Sequence, residues 1–138
     1  MQIKDMLIVI LPIITVVFGS YLTYYFTIRS KKQEAIQKFK EEKYSNLIIL
    51  LQGFIGNTVS GEKKKKFFEE QYRSWLYSSD DVIVAINELT KLLKDLKGAD
   101  PDPSEGRKVV GNIILQMRKD LLGRTKLKQD DFRYIDVN

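Results

Sequence analysis

Met6 to Ile28 reads MLIVILPIITVVFGSYLTYYFTI, with no charged residue in it. At about 1.5 Å per residue, a helix of this length covers the roughly 30 Å hydrocarbon core of a bilayer. A cleaved signal peptide fits less well. The apolar run is too long for one, only Lys4 supplies a basic n-region, and no A-x-A-like site follows. A buried helix of a soluble domain rarely goes so far without a charge. The segment therefore reads as a retained transmembrane helix, with Pro12 expected to kink its outer third because proline has no N–H to donate.

The flanks set the expected orientation. Lys4 and Asp5 cancel before the span, whereas Arg29, Lys31, Lys32, Lys38, Lys40 and Lys43 follow it. Positive residues stay inside, so the N-terminus is expected outside and the remainder in the cytoplasm. Tyr21, Tyr24 and Tyr25 sit at the cytoplasmic end, where a ring can lie in lipid with its hydroxyl in water. Thr15, Gly19, Thr23 and Thr27 recur every four residues, with Ser20 beside them. Small residues let helix backbones approach and hydroxyls bond across the contact, which suggests self-association in the membrane. Threonine and glycine are also common in spans, so the stripe can equally arise without a partner.

Two absences narrow the chemistry. The 138 residues, 43% hydrophobic and 30% charged, contain neither cysteine nor histidine. Without cysteine there is no disulfide, thiolate nucleophile or cysteine-based metal site. Without histidine the commonest general base and metal ligand are gone. No enzyme activity, cofactor or metal is expected. The acidic pairs Glu41-Glu42, Glu69-Glu70, Asp80-Asp81 and Asp130-Asp131 are helix neighbours that point in different directions, and capping and solvation explain them.

Beyond the span the periodicity is helical throughout. Ile28 to Phe54 has no proline and no glycine before Gly53, and Ala35, Ile36, Phe39, Tyr44, Leu47, Ile48 and Leu51 fall at roughly helical spacing. One helix is expected to run from the membrane into the cytoplasm, and the stretch GFIGNTVSGE then turns the chain. A helix is expected over 62–76 with Phe68, Tyr72 and Trp75 on one face and Trp75 in the core. The next should start at Ser-Ser-Asp-Asp, with Ser78 as cap and Asp81 completing a capping box. Its stripe is Val82, Ala85, Ile86, Leu89, Leu92, Leu93 and Leu96. After a linker near 97–104, Asp102-Pro103-Ser104-Glu105 is a strong helix start. Val110, Ile113, Ile114, Met117 and Leu121 form the last stripe, ending at Gly123, and the tail adds a turn near Phe132. The fold class is all-α: residues 1–28 carry the transmembrane helix, and 29–138 form a bundle in which the long helix packs with three shorter ones.

The sharpest charge feature is Lys63-Lys64-Lys65-Lys66. If the preceding helix stands upright, it carries this run some 35–40 Å from the bilayer, beyond a Debye length of about 8–10 Å. Nucleic acid or an acidic protein is then a better partner than lipid, the alternative being a solvated helix start that opposes the helix dipole.

Ile114-Leu115-Gln116-Met117-Arg118-Lys119-Asp120-Leu121-Leu122-Gly123 and the Ser-Asp-Asp stretch within Trp75 to Ile86 resemble a group of small single-span bacterial proteins. These carry a divergent HEPN-like helical domain, and the group includes the accessory membrane proteins of RNA-targeting type VI CRISPR systems. The resemblance implies an inner-membrane protein, an oligomeric ring or pore acting on the cell envelope in phage defence. It also implies partners in lipid, further copies of itself, and a defence-system effector or RNA. HEPN nucleases use Arg-x4-His. Arg118 fits the first position, but Gly123 stands where histidine belongs, which points away from RNA cleavage. Arg118 can also simply pair with Asp120 or with an acid on a neighbouring helix. A membrane anchor that recruits a cytoplasmic partner, then a phage holin, then a nuclease are the remaining readings. A reporter fused after Asn138 should behave as cytoplasmic in a paired phosphatase and fluorescence assay; a periplasmic C-terminus would overturn the layout.

Overall fold

The computed structural model describes residues 3–56, 59–97, 99 and 102–133. Four helices follow in order: α1 (Ile3–Leu51), α2 (Gly61–Ser74), α3 (Asp80–Asp95) and α4 (Pro103–Leu122), with single 3-10 turns at Gln52–Phe54 and Gln129–Asp131. No strand occurs among the described residues. The all-α class with one long apolar N-terminal helix is therefore what forms. Two compact units divide the chain, Met1–Lys38 and Phe39–Asn138.

The first unit is helix alone. α1 passes through Pro12 without ending there. Every side chain from Lys4 to Lys38 is exposed. This helix is long and apolar enough to cross a membrane by length and composition.

The second unit is an up-and-down bundle. The last turns of α1 bury Tyr44, Leu47 and Leu51 on one face, while Ile36 and Phe39 stay half-exposed. The Gln52–Phe54 turn then reverses the chain, and the Ser60 N–H donates to the Gly53 carbonyl at 3.2 Å. Ser60 caps α2, its hydroxyl accepting from Lys63 N at 3.4 Å. At this far end Phe54 packs edge-on against Phe67 and Phe68, with centroids 5.2 and 5.9 Å away.

α2 runs back along α1 and corrects three expectations. It spans Gly61–Ser74 rather than 62–76. Its buried face is Phe67, Gln71 and Ser74, one residue out of phase with Phe68, Tyr72 and Trp75. Both sets have helical spacing, but Phe67 fills the space beside Phe54, and that choice turns Tyr72 and Trp75 outward. Trp75 is accordingly 61% exposed, not core. Buried Gln71 is satisfied across the bundle by the Thr90 hydroxyl at 3.2 Å.

A tight turn links α2 to α3, with the Ser78 N–H bonded to the Ser74 carbonyl at 2.8 Å. The N-cap of α3 is Ser79, not Ser78, and its side chain makes no capping bond. Ser78 is turned inward instead, so the expected capping box with Asp81 does not form. α3 buries Val82, Ile83, Ala85, Ile86 and Leu89. Residues 98, 100 and 101 of the expected linker, 57 and 58 of the expected turn, and the tail beyond 133 lie outside the described residues.

α4 begins as its sequence indicates. Asp102 accepts from Ser104 N at 3.1 Å with Pro103 at the first position. It packs on α3 through Val110, Ile113 and Met117, and Asn112 donates to Glu88 at 3.2 Å. The helix ends at Gly123, whose φ of 78° favours glycine. From there the chain folds back along α4. A Cβ on Gly111 would lie 3.1 Å from both the Gln129 carbonyl and the Phe132 side chain, a tight fit that a larger residue could meet only if the returning chain gave way by a few tenths of an ångström. Phe132 packs on the core beside the 3-10 turn Gln129–Asp131.

If the phase of α2 is as described, Phe67→Ala should lower the unfolding free energy of the full chain by about 3–5 kcal/mol. Trp75→Ala should stay within about 0.5 kcal/mol. Denaturant titration in mild detergent reads both, and the reverse order would refute the assigned face.

Candidate functional site

Near the start of the bundle, α1 and α4 meet around one carboxylate. Lys40 and Tyr44, four residues apart, lie on the same face of α1. Asp120 reaches them from the last turn of α4. Lys40 Nζ sits 3.1 and 2.9 Å from the two Asp120 oxygens, and the Tyr44 hydroxyl donates to Oδ2. The two ion-pair side chains are only 21% and 12% exposed, so this is a largely desolvated pair, not a surface one. From the α2–α3 turn, Tyr77 stacks edge-on against Phe39 at 5.5 Å and lies 5.9 Å from the Tyr44 ring.

Burial raises the Tyr44 pKa well above the ordinary phenol value. The Asp120 carboxylate that accepts its proton adds to this, and the nearby Ser78 hydroxyl and Ser79 backbone oppose it more weakly. Tyr77 is pushed up to about 12, by burial first and by the Glu70 charge second. Both groups stay protonated at neutral pH and cannot serve as bases there. The Tyr77 hydroxyl and Ser78 Oγ are buried without a hydrogen-bond partner among the described residues. This cluster can hold helices in register. Its one carboxylate is already ion-paired.

The residues singled out from sequence are placed as follows. Arg118 and Asp120, two positions apart on α4, point in different directions. Arg118 Nε donates to the Thr125 hydroxyl at 3.2 Å, and among the described residues it pairs neither with Asp120 nor with an acid on a neighbouring helix. Gly123, where a HEPN nuclease would place histidine, is the left-handed C-cap of α4. A histidine there would be strained as well as absent.

Lys63, Lys64, Lys65 and Lys66 do not converge. At about 100° per residue they circle the first turn of α2. Lys66 is paired with Glu62 at 2.7 Å, and Lys64 Nζ lies 5.7 Å from the Phe54 ring centroid. Lys63 is half-buried, and Lys65 is exposed.

In α1, Thr15, Gly19, Thr23 and Thr27 line an i, i+4 ridge that drifts about 40° per step, bringing Thr27 beside Ser20. The Thr15 hydroxyl donates to Leu11 O at 2.8 Å and that of Thr23 to Gly19 O at 2.9 Å. Nothing lies within 4 Å of a Cβ built on Gly19. Among the described residues no three carboxylates are grouped as a metal cage requires.

Sequence reasoning passed over Lys40. Its partner is 80 positions away, and only the Lys40–Tyr44 spacing on the buried face marked it. No protein family, curated protein or solved structure matches the chain.

Removing the carboxylate would strand the Lys40 charge and the Tyr44 hydroxyl together. Asp120→Ala should therefore destabilise the bundle by about 3 kcal/mol, and Asp120→Asn, which still accepts from Tyr44, by less. Equal melting of wild type and Asp120→Ala in thermal denaturation would show the cluster to be incidental.

Proposed function

We propose that this protein is a single-span membrane protein that assembles with copies of itself through the small face of α1. The observation that carries the reading is the exposed, uncharged run from Met6 to Ile28 with an open ridge on one side. All its large side chains are exposed. Water does not tolerate so many exposed apolar side chains in one patch, whereas lipid does. Leucine or isoleucine would fill lipid-facing space better than Thr15, Gly19, Thr23 and Thr27. In a helix contact, the same residues permit close backbone approach, and the i, i+4 ridge suits a right-handed crossing. The positive flank after the span orients the bundle toward the cytoplasm of a bacterial cell.

The resemblance of the 114–123 segment extends this reading to an oligomeric ring that perturbs the inner membrane in phage defence, alongside an effector protein or RNA. Tyr44 and Tyr77 held protonated, the ion-paired Asp120 and the glycine at position 123 favour a non-enzymatic role over RNA cleavage.

One observation favours a plain membrane anchor as the second reading. The hydroxyls of Thr15 and Thr23 are already satisfied within their own helix. Such a span needs no partner to complete its hydrogen bonds.

Gly19→Leu separates the two. It leaves insertion intact because leucine favours the hydrocarbon core. In a ring each subunit repeats the contact, and hydroxyl bonds worth about 1 kcal/mol or less each add up around the closure. The substitution should convert an oligomer in mild detergent to monomer, measured by light scattering, and abolish any depolarisation on induction. A wild-type monomer, or a Gly19→Leu protein with unchanged mass, would leave the anchor.

A further inference from the structure

The segment that folds back after Gly123 leaves a groove of about 190 Å³ between itself and α4. Its floor is apolar, with Ile114 and Leu115 from α4 and Leu127 and Phe132 from the returning segment. Leu127 is 49% exposed, while Phe132 packs on the core. Arg118, Lys128 and Arg133 line the same groove, and all three are exposed. Among the described residues none of the three forms an ion pair. The bond to Thr125 uses Arg118 Nε and holds the guanidinium in place, leaving its terminal nitrogens to meet a ligand. The one acid on the lining, Asp131, is occupied by its own turn, where its carboxylate accepts from the Lys128 backbone N–H at 2.8 Å. The surroundings are basic as well. From Arg107 to Arg133 eight basic residues stand against three acids, and one of those acids, Asp120, is the partner of Lys40. Every residue of the groove belongs to the 39–138 unit.

We propose that this groove binds an acidic segment of a partner protein, with one large apolar side chain on the floor and flanking carboxylates on Arg118, Lys128 and Arg133. The volume fits a single side chain and falls short of the roughly 300–1,000 Å³ that a drug-sized ligand occupies. An apolar anchor inside a charged rim is the usual make-up of a protein contact, and the guanidinium fork matches a carboxylate. The positive surroundings draw an acidic chain in and repel a basic one. A nucleic acid would satisfy the cations equally, but the floor disfavours it. Single strands are held by bases stacked on aromatic faces, and the groove has only Phe132, half-buried against the core. A base set among Ile114, Leu115 and Leu127 would leave its polar edges without partners.

The test titrates the full chain, in an uncharged detergent, into a fluorescein-labelled peptide in which Asp and Glu surround a central Leu-Phe, and reads anisotropy. The peptide should bind, and its affinity should fall as salt is added. Replacing its Leu-Phe by Ser-Ser should weaken binding about tenfold or more. Leu127→Asp should do the same, and so should the double variant Lys128→Gln with Arg133→Gln. These substitutions touch only exposed side chains, so the thermal melt of each variant, followed by circular dichroism, should match that of the wild type. Changing Lys63 to Lys66 all to Gln should leave the affinity within about twofold, because that run lies on α2. Four results would overturn the proposal. The peptide may fail to bind the wild type. The Ser-Ser peptide may bind as well as the original, which means charge alone acts. The affinity may be lost on changing the lysine run and kept in the groove variants. Lastly, an oligoadenylate of equal charge may bind more tightly than the peptide and be lost in the groove variants, which makes this a nucleic-acid surface.

Discussion

An α-helix satisfies its own backbone, so its side-chain pattern can change partway along without a break in the chain. α1 depends on this. From Met6 to Ile28 it is apolar on every face; from Tyr44 to Leu51 it is apolar on one face only. A strand could not change its pattern in this way without new partners for its backbone groups, whereas the helix carries its hydrogen bonds with it. Everything in the bundle is laid out on that one-sided stretch. Tyr44, Leu47 and Leu51 supply the surface on which α2, α3 and α4 close, and the core is complete only when all four contribute.

Where α1 joins the bundle, packing and charge act together. Asp120 carries a cost of desolvation that Lys40 and the Tyr44 hydroxyl offset between them. Apolar side chains at these positions could pack as tightly. What the cluster adds is a tie between distant segments: both Asp120 oxygens lie within 3.1 Å of Lys40 Nζ, and the Tyr44 hydroxyl bonds one of them. From the α2–α3 turn, Tyr77 packs against the rings of Phe39 and Tyr44 on α1. Ser78, which the local sequence marks as a helix cap, has its hydroxyl buried instead and leaves the capping position to Ser79. Local preference and tertiary packing compete at this residue, and packing decides.

The helices were legible because their signals are local. Asp102-Pro103 and Gly123 mark the ends of α4 where the structure has them, and Val82, Ala85, Ile86 and Leu89 of the α3 stripe are buried, whereas Leu92, Leu93 and Leu96 are only half-buried and Ile83 joins the core. The phase of α2 was not legible. Phe67 and Phe68 are neighbours, both begin an i, i+4, i+7 series and both pack against Phe54, and only packing from other elements decides that Phe67 is the one fully buried. The Lys40–Asp120 pair was hidden for the same reason, since neither residue is unusual until the other is beside it. Lys63 to Lys66, by contrast, stood out in the sequence and disperse in space, because adjacency along a helix is divergence around it.

The 80 positions between Lys40 and Asp120 also order events during synthesis. At about 5–20 residues per second, α4 follows the start of the bundle by several seconds. The apolar N-terminal helix has emerged long before the residue that closes the core exists. Through that interval the inner faces of α1, α2 and α3 have no α4 to cover them. Its last helix is therefore its lock, and a nascent chain truncated before Asp120 is an open, adhesive intermediate rather than a smaller version of the fold.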